Sequence, residues 1–521
     1  MPACTSTSHL CTSAFAAFEW LSGISFISRV IIAAVLVAAV THYELSCPRN
    51  LRHLKRVSPY ATLWSYARRE SVDQRIRRLI LPFAEQGEGA VAVYMLGKWG
   101  VHVLDPSLIR NVCLDGVKYP KKNYQEHLHF TFLSGPNVVF SNGEMWKRHS
   151  ASVKAAFDRD IPVHVFNELA HEVVKHIGGG GVHRWTDLMQ RFTLDVVGKA
   201  ALGHEFDAMA AGSDASELSF VDHFNRVMSN IATPTRLMFP WLDTLFPRQA
   251  VIDDVDALNA RYDGLLQEKR GKPGRDILSY LLEDASLSNE ELRSNLSILF
   301  SAGHDTTSGA LSTAVYYLAR DPALQALVRA EIMSVVGTRD ATLNDLKALP
   351  LLDATIREAL RINSPISLLP ARVCETDTVL SSSKHSYAVP ANVPIVPNVY
   401  AVHHTSTLYT NDVHFDAGRF LPEPDKLTPG TPAHAVAAAS PYPKPRPGAF
   451  IPFGTGPRQC TARQFSLFEQ KTLLATVLTQ FEVTLPAGSH HAERVLNEFG
   501  AFGLSVPHGL DIAFRKLEVK A

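Results

Sequence analysis

The run Phe453-Gly454-Thr455-Gly456-Pro457-Arg458-Gln459-Cys460-Thr461-Ala462 is a glycine-rich loop that delivers one cysteine to the first turn of an expected helix. Glycines permit positive φ and let backbone N–H groups approach the sulfur. The helix N-terminus adds partial positive charge, which favours thiolate over thiol. A thiolate held in this way can serve as the axial ligand of a haem iron and push electron density towards O–O cleavage. The usual fate of a lone cysteine is burial as a small hydrophobe, and the ten residues around Cys460 argue against it.

A second segment, Ala302-Gly303-His304-Asp305-Thr306-Thr307, carries complementary chemistry. Reductive splitting of O2 consumes two protons. A hydroxyl that kinks a helix and holds a water can deliver them when a carboxylate lies beside it. Thr306 is the expected hydroxyl and Asp305 the expected relay acid. Both stand inside a long helix. Ser288 and Glu291 form a capping box, the apolar pattern runs on to Ala319, and Asp321-Pro322 stops it. About 31 residues would span roughly 46 Å. Gly303 alone costs about 1 kcal/mol relative to Ala, so a polar break is expected in the middle of a buried helix.

Together these segments resemble the cytochrome P-450 family, of the membrane-anchored, microsomal and fungal-like type. The family's cysteine signature Phe-x-x-Gly-x-Arg-x-Cys-x-Gly falls on Phe453, Gly456, Arg458, Cys460 and Ala462, the last a mild departure. Its oxygen-activation motif falls on Ala302, Gly303, Asp305, Thr306 and Thr307. The resemblance implies that Cys460 is the proximal ligand of haem b, that Phe453 shields the sulfur, and that Arg458 pairs with a haem carboxylate. It gives Arg372, in Pro370-Ala-Arg-Val, a second carboxylate, and Gly303 the task of leaving room above the iron. Trp146 matches the tryptophan of Trp-x-x-x-Arg, but the expected arginine is Ser150, leaving His149 and Lys154 as the nearest substitutes. Glu358, Arg361 and Arg419 fall where the family closes a structural Glu–Arg–Arg cluster. The motifs follow family order over roughly residues 50–515.

The fold implied is mainly α with small β-sheets, a single large domain with a long central helix, preceded by one N-terminal transmembrane helix. Hydrophobic residues make up 46% and charged residues 20% of 521 residues, which suits one large core. Lys+Arg and Asp+Glu both number 51, so nothing in the overall charge calls for nucleic acid. The six cysteines are scattered, with no C-x-x-C, and indicate neither a disulfide framework nor a zinc site.

Ala90–Leu96 and Trp99–Leu104 alternate as a strand pair about Gly97. Pro350 opens a helix to Asn363, Gly178–Gly181 is expected to be a flexible connector, and eight prolines between Leu421 and Ala449 argue against regular structure there. A last amphipathic helix is expected from Thr461 to Gln480.

Trp20 to Val40 is almost wholly apolar apart from Arg29, close to the ~20 residues that cross a bilayer. Residues 1–19 hold no Lys or Arg, whereas Arg49, Arg52, Lys55 and Arg56 follow. The positive-inside bias makes residues 1–19 a lumenal tail, 20–41 a signal anchor, 42–58 a basic linker and 59–515 a catalytic domain on the cytoplasmic side of the endoplasmic reticulum membrane.

No flavin or nucleotide segment is visible, so electrons from NADPH must arrive through another protein. By resemblance that partner is NADPH–cytochrome P-450 reductase, helped by cytochrome b5. Lys147, Arg148, Lys154 and Arg463 would meet its acidic surface. Segments Tyr124–Phe140, Ile231–Phe246, Ile366–Leu369 and Glu498–Leu504 should line the substrate pocket. They are rich in Phe, Leu and Ile and suit a small or medium apolar compound.

Competing chemistries fit less well. His171 and His176 are five apart, whereas zinc on a helix wants four. The pairs His403-His404 and His490-His491 suit the surface better than a metal, and no Gly-x-Ser-x-Gly elbow is found. A haem-thiolate isomerase or dehydratase could dispense with Asp305 and Thr306. A non-catalytic membrane haem protein would need no electron donor.

Overall fold

The long helix begins where its cap places it. The Ser288 side chain accepts from the Glu291 N–H at 3.3 Å, and the Glu291 carboxylate accepts from the Ser288 N–H at 2.8 Å. From there the computed structural model carries one uninterrupted helix from Asn289 to Arg320, 32 residues long. The expected polar break does not open. Thr306 Oγ1 donates back to Ala302 O at 2.7 Å, which satisfies the hydroxyl without unwinding the backbone. Leu311, Ala314, Val315 and Leu318 are buried on the same helix, so tertiary packing outweighs the poor propensity of residues 303–307.

The structure describes residues 25–122, 135–210, 220–231, 233–500 and 503–518. The chain divides into a unit ending at Arg52 and a second, His53–Ala521. The second is mainly helical with small sheets. Trp185–Val196 packs along the long helix, and the helix after the cysteine, Arg463–Gln480, packs on Val163–Ile177. Pro350–Ile362 lies against the long helix and carries Glu358 and Arg361.

The expected strand pair is present as Ala90–Met95 and Lys98–Val103, in the register Ala90↔Val103, and Ile395–Pro397 adds a parallel third strand. The turn needs positive φ at Leu96 (54°) and Gly97 (73°), which is why a glycine stands there.

Three expectations change. Gly178–Gly181 is not simply a connector: Gly180–Arg184 is a strand paired antiparallel with Asp511–Lys516, which also pairs with Phe481–Thr484. A Cβ on Gly180 would lie 2.6 Å from Phe514 O, so glycine permits the close approach. The proline-rich stretch contains an eight-residue helix, Pro432–Ala439, because Thr431 caps it and Pro432 occupies a first-turn position that needs no N–H donor. His403, His404 and His491 are buried rather than surface residues. His403 Nε2 accepts from the Ile451 N–H at 3.0 Å, His404 Nδ1 faces Asp412 at 2.7 Å, and His491 Nδ1 accepts from Leu496 N–H at 3.1 Å.

In the first unit Ser25 caps a helix Phe26–Leu45. Residues 20–24 of the expected membrane span lie outside the described residues. Among the described residues no helix is long and apolar enough to cross a membrane.

Candidate functional site

The cysteine loop is shaped by two glycines. Gly454 and Gly456 have φ of 74° and 76°, and a Cβ at Gly456 would stand 2.8 Å from Cys113 O. A 3-10 turn, Gly456–Arg458, follows, and the Cys460 N–H closes the loop on Phe453 O at 2.9 Å. The Cys460 sulfur then meets the Ala462 N–H one residue before the helix begins at Arg463. Cys460 is exposed, and it lines a cavity. Burial of the site pushes its thiol up, while the Ala462 N–H, Arg463 and Lys121 act in the opposite direction.

That cavity brings together Cys460, Phe453, Arg458, Arg372, Trp146, Gly303 and Thr306. The sulfur and the long helix therefore form facing walls, and Thr307 Oγ1 ties the helix to Ser466 Oγ at 3.0 Å. Asp305 lines a second, adjoining chamber that shares Ala302, Thr306, Ile366 and Leu369 with the first. Asp305 Oδ1 is 3.3 Å from Nε2 of buried His304. The missing side chain of Gly303 faces Val197, where a Cβ would approach Cγ2 to 2.8 Å. Its smallness thus serves helix packing as well as the cavity.

The first cavity is rich in cations. Arg458 stacks over Trp146 at 4.5 Å and donates to Ser141 O at 2.8 Å and Val139 O at 3.0 Å. Burial, then the like charge of Arg372, pull its pKa down to about 9. Arg372 is 3% exposed and donates to Tyr119 O at 3.2 Å. No carboxylate among the described residues pairs with either. Unpaired charge is costly to bury, and Arg372 is buried and Arg458 half-buried, so these side chains fit a ligand bearing two carboxylates, as haem does.

The sequence reasoning missed Lys121. It lines the same cavity and is 8% exposed; burial and the charges of Arg458 and Arg372 push its ammonium pKa down. Its backbone is clamped on both sides by Asn142, whose Oδ1 accepts from Lys121 N–H and whose Nδ2 donates to Lys121 O, each at 2.9 Å. Ser150 also lines the cavity. The two substitutes considered for it do not: His149 is held by Glu291 and Asn295, and Lys154 is exposed.

Of the four cations expected to meet a redox partner, Arg148 is engaged elsewhere. It forms an ion pair with Glu291 at the start of the long helix and donates to Ser286 O. Lys147 pairs with exposed Glu144 at 2.6 Å.

Glu358, Arg361 and Arg419 meet as expected, all fully buried. Arg361 binds both Glu358 oxygens at 2.7 and 2.8 Å and donates to His403 O at 3.0 Å. Since the His403 ring accepts from Ile451, the cluster is wired to the strand of chain that enters the cysteine loop.

A cysteine-bearing loop facing a long helix across a cation-lined chamber is an arrangement that suits a haem protein. Comparison with known proteins agrees. The Cytochrome P450 family model matches residues 62–506. Cytochrome P450 monooxygenase xanG of Aspergillus fumigatus is 25% identical over 490 residues, covering 88% of this chain and 87% of its own. Cytochrome P450 4F4 of Rattus norvegicus is 26% identical over 418 residues, covering 73% and 74%. The crystal structure of the cytochrome P450DA heme domain has a TM-score of 0.70 at 22% identity, covering 89% of this chain and 97% of that one, a likeness of fold. The chain belongs to the cytochrome P450 family. It is a haem b-dependent monooxygenase that takes NADPH-derived electrons through a reductase and acts on a small molecule.

Proposed function

We propose that Cys460 is the iron ligand and that Phe453 covers its sulfur. Arg372, Arg458 and Trp146 hold the carboxylate edge, and Gly303 keeps the opposite wall low. The observation that carries this is the single cavity into which Cys460, the cations Arg372 and Arg458, and Thr306 all open. Haem b, when bound, supplies one-electron and O2 chemistry. This chain's residues supply the setting. The glycine loop directs the Ala462 N–H at the sulfur, and the long helix brings a hydroxyl and a carboxyl to the facing wall.

Thr306 and Asp305 move protons in this scheme. The Thr306 hydroxyl, now given to Ala302 O, can release that bond to hold a water, and Asp305 passes protons from the neighbouring chamber. Replacing Thr306 with alanine removes the hydroxyl while leaving the helix intact. Reductase-supported NADPH consumption is expected to continue, with product per NADPH falling about ten- to a hundredfold and hydrogen peroxide rising. Unchanged coupling would contradict the role.

Lys121 takes the part of the arginine missing at Ser150. Lys121→Met should speed haem transfer to apomyoglobin by about tenfold, the order seen when a supporting contact is lost. Adding Ser150→Arg should restore retention. A haem-loss rate equal to that of the unchanged protein would exclude Lys121 from this task.

The reductase is NADPH–cytochrome P-450 reductase, with cytochrome b5 as a second donor. Lys147, Lys154 and Arg463 remain for the docking face, since Arg148 is committed to Glu291. The substrate has a largely apolar body, because Val139, Leu237, Ile366, Leu369 and Leu504 line the chamber beside Thr306. Residues 123–134, 232 and 501–502 of the expected pocket segments lie outside the described residues. The amino-terminal helix exposes Phe26, Ile27, Val30, Ile31 and Val35, and a basic cluster follows it. Both support an anchor over residues 20–41 in the endoplasmic reticulum membrane, residues 1–19 lumenal, a linker over 42–58 and the catalytic domain, 59–515, in the cytoplasm. A fusion carrying residues 1–58 that fails to stay with membranes after a carbonate wash would overturn the anchor.

A further inference from the structure

The chamber beside Thr306 is apolar over most of its wall, and besides Asp305 the charged side chains that line it are Arg75 and Lys122, neither used by the proposed proton relay. Arg75, on the helix Val72–Leu79, is 7% exposed and lines this chamber. Its guanidinium lies over the Tyr66 ring at 4.1 Å. Its Nη1 is buried with no hydrogen-bond partner. No carboxylate among the described residues forms an ion pair with it. Asp73, in the first turn of the same helix, makes no ion pair with it, and Glu70, which feels the Arg75 charge, is bonded to Arg78 at 2.6 and 2.9 Å. His102, buried behind Arg75, offers no negative charge, and burial followed by the Arg75 charge pushes its pKa down to about 3.

A buried guanidinium with an unsatisfied N–H and no carboxylate at ion-pair distance gains from an anion that reaches it. The planar fork of arginine matches a carboxylate, to which it can donate two parallel hydrogen bonds. The same positive charge disfavours an amine. Around it, Met95, Leu237, Ile366 and Leu369 offer surface for hydrocarbon. Asp305 lies in the same chamber and repels an acid brought close to the long helix.

We propose that Arg75 is the acid-binding residue of this chamber, and that the substrate is a carboxylic acid with an extended apolar body. The carboxylate then sits on Arg75, and the hydrocarbon runs past Ala302 and Thr306. Oxidation falls on that hydrocarbon and not at the carboxyl end. This rests on the haem site proposed above and adds the substrate class to it.

The test uses the full-length, haem-loaded protein and three probes of one chain length: dodecanoic acid, methyl dodecanoate and dodecan-1-ol. Binding is measured by equilibrium dialysis and, in parallel, by the Soret shift. The acid is expected to bind about tenfold or more tightly than the ester and the alcohol, the scale of a charge-assisted hydrogen-bonded pair. Arg75→Met should remove that preference and leave ester binding unchanged. Arg75→Lys should keep part of it. Equal binding of acid and ester by the unchanged protein would overturn the proposal without any variant having to fold. So would an Arg75→Met protein that retains the acid preference. The carbon monoxide spectrum of the same preparation reports separately on the haem site. An intact thiolate band with no acid preference sinks this inference alone, whereas a missing band sinks the haem assignment whatever dodecanoate does.

Discussion

Glu358→Ala is expected to leave a protein that neither holds haem nor folds stably. Among the described residues Glu358 is the ion-pair partner of both Arg361 and Arg419, at 2.7 and 3.4 Å, and all three side chains are fully buried. Burial pushes the Glu358 carboxyl up, while the two guanidinium groups and the Asp416 N–H at 3.1 Å pull the other way. Removing it strands two cations in the interior. Breaking a buried pair from one side costs about 3–5 kcal/mol, against a total of roughly 5–15 kcal/mol for a native domain. The damage should spread along Arg361, His403 and Ile451 into the cysteine loop. Urea unfolding and the haem-to-protein ratio check both parts. A midpoint and haem content matching the unchanged protein would show that the cluster contributes little.

Cys460→Ser should behave in the opposite manner, abolishing reductase-supported turnover with little change in fold. The loop is held by bonds that the substitution does not touch: Cys460 N–H to Phe453 O at 2.9 Å, Gly454 N–H to Ile451 O at 3.0 Å, and Gln459 N–H to Gly456 O at 3.1 Å. A hydroxyl is close in size to a thiol, so packing changes little. What is lost, on the proposed assignment, is the soft, charged donor to iron. Circular dichroism and thermal unfolding of the haem-free proteins should therefore superimpose, while product formation falls to background. A serine variant that still turned over would remove Cys460 from the chemistry.

The sequence made the two walls of the site legible because each is local. A cysteine among fixed glycines and a hydroxyl beside a carboxylate are neighbours in the chain, so their types and spacing already carry the chemistry. The long helix was equally readable, since its capping box and its Asp-Pro stop lie at its own ends. Properties that depend on distant partners were not readable. Gly180 and Gly181 form a strand only because Arg515 and Phe514, more than three hundred residues on, pair with them. His403 is buried because Ile451 needs an acceptor there. Lys121 carries no local sign, because it stands outside the helix that holds Ser150. The cation came instead from a segment that meets Arg372 through an isolated antiparallel bridge. Arg75 had a local sign, standing at the i+3 place of the apolar spacing Val72, Arg75, Ile76 and Leu79. A charge on the buried stripe of a helix marks a place to look for a partner.

The most direct measurement is the absorption spectrum of the purified protein, reduced with dithionite and exposed to carbon monoxide. If the Cys460 thiolate donates to the iron, the Soret band moves to the long wavelength peculiar to sulfur ligation and disappears in Cys460→Ser. A Soret band at the shorter wavelength of a histidine-ligated haem, or a long-wavelength band that persists without Cys460, would contradict the assignment on which the rest depends.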